Sequence, residues 1–431
     1  MAVKRPNILV YIAHDTGRHI SPYGIKTVHT PNAERLAAEG TLFEQCFCTA
    51  PQCSPSRASA FTGRYPHSNG VMGLTHAEFA WDLAEGEVHL AKMLKGLGYD
   101  TYCTGSIHET RDAARHGFDV ADKQYDALNI ADSLGAWLDG RGEAGAPFYA
   151  ELTSWQNHRP FPTEGCPPDD SLGVQVPGWL PDNEATRKDF AAQQGTIRQW
   201  DEGVGKLLDL LDERGIADDT LLIVTTDHGI AFARAKCTLY DSGIGVLLLT
   251  RWPNGGVQAG RRTDAMVSNV DFVPTILELL GQTVPANVQG VSFAELLTGA
   301  DVRPREKIFA EMTFHGYYRP MRCVRTERYK YIRSFEIGYG VMVPTDAQEG
   351  ASFTENIRYV RKQTHAKFEE LYDVQADPDE LNDLAGDSEH EAVRAELSAA
   401  LAKWMRDTAD PLLDGPVASP FYRKAIAGLG T

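Results

Sequence analysis

Cys53-Ser54-Pro55-Ser56-Arg57, continuing as Ala58-Ser59-Ala60-Phe61-Thr62-Gly63-Arg64, gathers a thiol, hydroxyls and a guanidinium in a few residues. Pro55 suits the first turn of a helix, where free backbone amides and the helix dipole favour an anion. Arg57 can hydrogen-bond an anionic group held there. An isolated cysteine is ordinarily a small buried hydrophobe, so the surrounding residues single this one out. Two further pairs, His14-Asp15 and Asp227-His228, each follow a strand-like apolar run. Carboxylate oxygens and imidazole nitrogens are the donors a divalent cation takes from a protein. One aspartate after a strand is usually a turn former; two such pairs bring metal-capable donors to the same sheet edge. His108 and His158 can move protons near neutral pH. Lys236 and Arg234 can hold an anion.

These groups need a frame. Asn7 to Ala13 is a continuous branched apolar run, as in a strand buried on both faces of a parallel sheet. Strand-like 99–104, 148–154 and 221–226 alternate with helix-like 32–39, 90–97, 131–138 and 191–214. That alternation predicts an α/β fold, a large mostly parallel sheet sandwiched by helices. In such sheets ligands bind at the carboxyl ends of the strands, which is where His14-Asp15 and Asp227-His228 fall. From about Glu306 the pattern changes to short strands, near 308–311, 321–325, 329–332 and 371–373, before a helix at 392–406. We therefore expect a catalytic domain over 1–305 and a smaller α+β domain over 306–431, with 411–431 wrapping the surface.

Composition sets outer limits. The chain has 431 residues, 42% of them hydrophobic, enough for a sizeable core. A net charge of −17 argues against nucleic acid as partner, because phosphate backbones bind basic surfaces. It does not exclude a small anion in a cleft. The seven cysteines are odd in number and lack zinc-type spacing, which suits free thiols in a reducing compartment. No apolar signal region precedes Asn7, and no stretch is long enough to span a membrane. The expectation is a cytoplasmic protein without membrane or nucleic-acid partners; self-association stays open.

The Cys53 motif with its trailing Gly63-Arg64 resembles the C-x-P-S-R signature of the sulfatase family. Other stretches resemble the family in its own order. These are Pro6-Asn7-Ile8-Leu9 leading to His14-Asp15, Gly105-Ser106-Ile107-His108, Asn157-His158-Arg159-Pro160, Thr226-Asp227-His228-Gly229, and Leu371-Tyr372-Asp373 with Asp377-Pro378-Asp379-Glu380. Together they cover nearly the whole chain. Ser68 to Leu74, Asp227 to Tyr240 and Tyr318 to Arg322 resemble heparan N-sulfatases (sulfamidases) and their bacterial relatives.

The resemblance implies an alkaline-phosphatase-like fold and a formylglycine made from Cys53 by a formylglycine-generating enzyme or other maturase. One hydroxyl of the hydrated aldehyde would attack sulfur; deprotonating the other would expel sulfate. It implies one divalent metal ion held by His14, Asp15, Asp227 and His228. Calcium is the family default, and the two imidazoles leave Mn2+ or Zn2+ open. It assigns Arg57, His108, His158 and Lys236 to catalysis. His19, Arg234, His315 and Arg322, with Arg18 and Arg319 beside them, are candidates for binding a small sulfated substrate, such as a carbohydrate. Two departures stand out: His14 replaces the first aspartate of the usual pair, and Ser106 replaces a lysine. The alternatives are a phosphodiester or phosphonate monoester hydrolase using the same residues, and a non-catalytic binder with unmodified Cys53.

Overall fold

The structure, a computed structural model, describes residues 5–141, 146–162, 164–336, 343–363 and 367–429. Residues 1–4, part of the segment read for an export signal, lie outside them. The chain builds an α/β layer around an eight-stranded sheet. Its order is Arg261–Thr263, Thr41–Phe43, Leu248–Arg251, Thr220–Thr226, Asn7–Ala13, Phe148–Thr153, Asp100–Gly105 and Val120–Ala121. Only Leu248–Arg251 runs antiparallel to its neighbours. The expected α/β sandwich is therefore present.

The reason lies in the strands' composition. Asn7–Ala13 and Thr220–Thr226 are buried almost throughout, so both faces need a helical cover. One face buries Leu9, Tyr11, Leu222 and Val224 against Ile197, Trp200, Val204 and Leu208 of the helix Glu184–Glu213. Those four helix positions recur at spacings of three and four, the apolar stripe of an amphipathic helix. Asn183 caps that helix through a hydrogen bond from the Thr186 amide. The opposite face carries Ile8, Val10, Ile12 and Ile223 in the main core. Each such buried aliphatic side chain contributes about 1.5–3 kcal/mol.

The chain's last third forms an antiparallel sheet, Ile308–Phe314, Tyr318–Arg325, Tyr329–Ser334 and Glu369–Asp373. One face sends Ile308, Ala310, Met312 and Cys323 into the main core. The other packs Val324, Tyr331 and Leu371 against Leu397, Leu401 and Trp404 of the helix Glu391–Asp407. Charge also joins the two sheets, since Arg325 and Lys330 both reach Asp241. The final helix, Pro420–Ala427, has no buried residue.

The register of the large sheet sets the site. Ala13 pairs with Thr226, Ile12 with Thr153, and Thr153 with Gly105. Four adjacent parallel strands therefore end at one level, and His14-Asp15, Asp227-His228, Trp155 and His108 emerge side by side.

Candidate active site

Cys53 is the first residue of the helix Cys53–Thr62, after Gln52 as N-cap. No side chain caps this end, so the first-turn amides keep their capacity for an anion. The helix is wholly buried and stops at Gly63, whose φ of 68° is the left-handed turn glycine adopts freely. It points Cys53 at the strand ends, where ligand atoms of His14, Asp15, Cys53 and Asp227 all lie within 4.8 Å of one another.

Asp227 is the hub. Its Oδ1 accepts backbone N–H groups of Asp15 at 3.1 Å and His228 at 3.0 Å. Its Oδ2 accepts Arg57 Nε at 3.2 Å and Nη2 at 2.9 Å, and His14 Nδ1 lies 3.1 Å away. Burial alone would raise its pKa, but His228, Arg57 and His14 hold it well below the usual carboxylate range. Asp15 follows the same logic: burial opposes its charge, while Lys236 and His228 keep it ionised. Its φ of 46° is rare for a residue with a side chain, a strained placement that aspartate tolerates better than most.

His228 Nδ1–H donates to the Gly229 carbonyl at 2.9 Å, so in the neutral ring Nε2 carries the lone pair. That Nε2 sits 3.1 Å from Asp15 Oδ1 and 3.2 Å from Cys53 Sγ. A lone pair facing a carboxylate oxygen at this distance is repulsive unless a proton or cation lies between them. Asp15 Oδ1 and His14 Nε2 are buried without a hydrogen-bond partner among the described residues. The residues present thus fit a divalent cation, through mixed oxygen and nitrogen donors.

Lys236 is 1% exposed; its ammonium bridges Asp15 Oδ2 at 2.8 Å and Asp346 Oδ2 at 2.7 Å. Burial would favour the neutral amine, but these carboxylates keep it charged. Burial, then Arg57, lowers His14 to about 4. Burial, then Lys236, lowers His315 to about 3. Burial likewise lowers His108 and His158, helped by His14 in the first case and Lys236 in the second. Four imidazoles that stay neutral at neutral pH therefore surround the charged pairs, with lone pairs free for a hydrogen bond or a cation. Burial also drives the Cys53 thiol well above its ordinary value, so the unmodified side chain is a poor nucleophile.

Cys53, His108, His158, Lys236 and His315 line one cavity of about 380 Å³. His14, Asp15 and Asp227 place ligand atoms within 4.8 Å of Cys53 Sγ, and His228 Nε2 lies 3.2 Å from it. Other candidates go elsewhere. Arg322 is fully buried, forked onto Asp410 and donating to the Met312 carbonyl; this ion pair in the antiparallel sheet corrects the substrate-binding expectation. Arg234 stacks 4.0 Å over Tyr240 and donates to the Glu380 carbonyl at 2.7 Å. That joins its loop to the C-terminal segment, away from the Cys53 cavity. His19 and Arg18 line a separate cavity of about 370 Å³, so they do not meet the nucleophile either.

Sequence reasoning missed Asp346 and Trp155. Trp155 stacks on His158, centroids 4.2 Å apart, and meets His14 edge-on at 4.8 Å. Its position just after Phe148–Thr153 was the available signal. Asp346 lies in the short helix Thr345–Gln348, far along the chain and outside any motif. Ser106, where the resemblance expects lysine, instead presents its carbonyl to Arg57 Nη1 at 3.2 Å.

Comparison with known proteins identifies the family. The family described as Sulfatase matches residues 6–282, and the chain belongs to that family. The family described as N-sulphoglucosamine sulphohydrolase, C-terminal, matches residues 228–349. An ulvan-active sulfatase of Formosa agariphila is 28% identical over 97% of this chain and 83% of its own. The Homo sapiens N-sulphoglucosamine sulphohydrolase is 27% identical over 95% and 92%. The phosphonate monoester hydrolase structure of Agrobacterium radiobacter shares the fold, with a TM-score of 0.72 at 21% identity over 95% and 97% of the chains.

Proposed function

We propose that the chain releases sulfate from a sulfate ester or sulfamate, on a sulfated sugar, with formylglycine at position 53 and one divalent cation. The observation that carries this is the meeting of Cys53, on an uncapped helix end, with His14, Asp15 and Asp227 within 4.8 Å. His14, Asp15, Asp227 and His228 would hold the cation, which supplies positive charge to the sulfuryl oxygens. The hydrated aldehyde supplies the attacking oxygen that a buried thiol cannot.

The remaining steps fall to the chain's own groups. Arg57 fixes Asp227 and faces the first turn of its own helix. His108, neutral and lining the same cavity as Cys53, is placed to accept a proton from a hydroxyl there. Lys236 brings the ammonium that Ser106 does not. His158 and His315, neutral and lining the same cavity as Cys53, are placed to serve the leaving group. Calcium remains the expected ion, with Mn2+ or Zn2+ favoured to the extent that His14 and His228 ligate.

Mass spectrometry of the Cys53 peptide from active enzyme tests the nucleophile: the aldehyde form is expected, and fully active enzyme with only unmodified cysteine overturns it. Parallel kinetics on aryl sulfate, aryl sulfamate and phosphodiester test the reaction. A phosphodiester with by far the largest kcat/KM would replace this reading with the phosphohydrolase one.

A further inference from the structure

Resting on that reading, we propose that the sulfated group terminates a longer, uncharged glycan whose next sugar rings lie in an aromatic groove opening from the Cys53 cavity. A second cavity of about 270 Å³ shares Phe79, His315 and Gly316 with the first. Its walls carry Trp81, Phe314, Tyr317, Tyr318 and Phe421. They come from three distant places: the turn Ala77–Phe79 and its sequel, the hairpin between Ile308–Phe314 and Tyr318–Arg325, and the final helix, Pro420–Ala427. Trp81 and Phe314 are 5.1 Å apart by ring centroid, and Phe314 and Tyr318 are 4.8 Å apart. Three of these rings, Trp81, Phe314 and Tyr318, thus form a contiguous row in a groove that adjoins the nucleophile's cavity.

Phe421 is 65% exposed and Tyr317 is 41% exposed. Large apolar groups clustered at the mouth of a cavity mark a binding surface. The polar groups there are the carboxylate of Glu78, the hydroxyls of Ser419, Tyr317 and Tyr318, and the imidazole of His315. Flat rings that cover C–H faces, interspersed with hydroxyl and carboxylate partners, match a pyranose. Among the described lining residues of this groove there is no lysine or arginine, and Glu78 is its one carboxylate. A polyanionic chain would meet repulsion and no counter-charge; a neutral sugar needs neither.

The test compares a monosaccharide sulfate with neutral trisaccharides (cellotriose, chitotriose, mannotriose) sulfated on a terminal unit. The wild-type enzyme is expected to favour at least one trisaccharide by about tenfold or more in kcat/KM, the signature of remote binding energy used at the reacting centre. Phe421→Ala should bring that ratio toward one, while Tyr422→Ala, next to it but off the groove, should leave it. A heparan-derived trisaccharide should lose the advantage. Equal efficiencies for mono- and trisaccharides in the wild type, or an unchanged ratio in Phe421→Ala, overturn the proposal. Calorimetry of unsulfated trisaccharides on Cys53→Ala separates the two readings. Binding that Phe421→Ala abolishes supports the groove even if no sulfate is released, and no binding by any of the three overturns it.

Discussion

Arg57 and Asp227 form a fully buried ion pair in which Nε and Nη2 both converge on the single oxygen Oδ2. The other carboxylate oxygen is taken by two backbone amides. The side chain that would ligate the cation is therefore also the one that locks the nucleophile's helix to the sheet.

Arg57→Ala should leave that carboxylate uncompensated and cost about 3–5 kcal/mol of stability. Arg57→Lys keeps the charge but not the fork. It should fold, and lose about 100-fold or more in kcat. Denaturant unfolding with steady-state kinetics checks both; a lysine variant of normal turnover would show that charge alone suffices.

Lys236 is held between Asp15 and Asp346. Lys236→Ala should lower kcat by about 100- to 1,000-fold, as loss of a preorganised cationic contact does. Asp346→Asn should be milder, because Asp15 still pairs the ammonium. A kinetic comparison in which Asp346→Asn is the more damaging would give the carboxylate a direct role with substrate.

Burial lowers His19 to about 4, and its Nε2 has no hydrogen-bond partner among the described residues. The unfolded chain takes up this proton near pH 6.5, the folded chain only near 4. Stability from this group is therefore full above about 6.5 and declines as pH falls through that window, by about 3 kcal/mol in all. His19→Gln should flatten the slope of unfolding free energy between pH 6.5 and 4; an equally steep slope would remove His19 as its source.

Cation removal should show in stability as well as rate. A chelator should lower the melting temperature, and restoring the ion at a hundred times its Kd should return about 2.7 kcal/mol. Asp15→Asn should blunt the response in the same scanning experiment. A melting temperature indifferent to both ion and chelator would remove the cation from the fold.

Arg322→Ala should abolish soluble protein or cost about 3–5 kcal/mol, since it strands Asp410 in the interior. Any enzyme recovered should keep its KM. A raised KM with unchanged stability would return Arg322 to the substrate.

The large sheet was legible because the runs 8–13 and 221–224 are apolar without alternation, the pattern of a strand covered on both faces. The clustering of His14, Asp15 and Asp227 was legible because each directly follows such a strand, so linear position translates into position at the sheet edge. Asp346 was not, because its distance to Lys236 depends on how the C-terminal segment folds back over the sheet. Arg322 misled for the converse reason: alternation in Tyr318–Arg325 decides which face a side chain takes, and here it points to Asp410. His19 and Arg18 lie only four and three residues beyond Asp15, yet the turn after the strand carries them to another cavity.

Cys53 is 3% exposed in the finished fold, on a helix buried along its whole length. On the formylglycine reading an enzyme that oxidises this thiol has to reach it, and the finished fold covers both the thiol and the helix that carries it. Conversion on that reading therefore precedes closure of the chain. The fraction of active molecules in any preparation would then be fixed by a race between oxidation and folding, and chains that fold first stay inert.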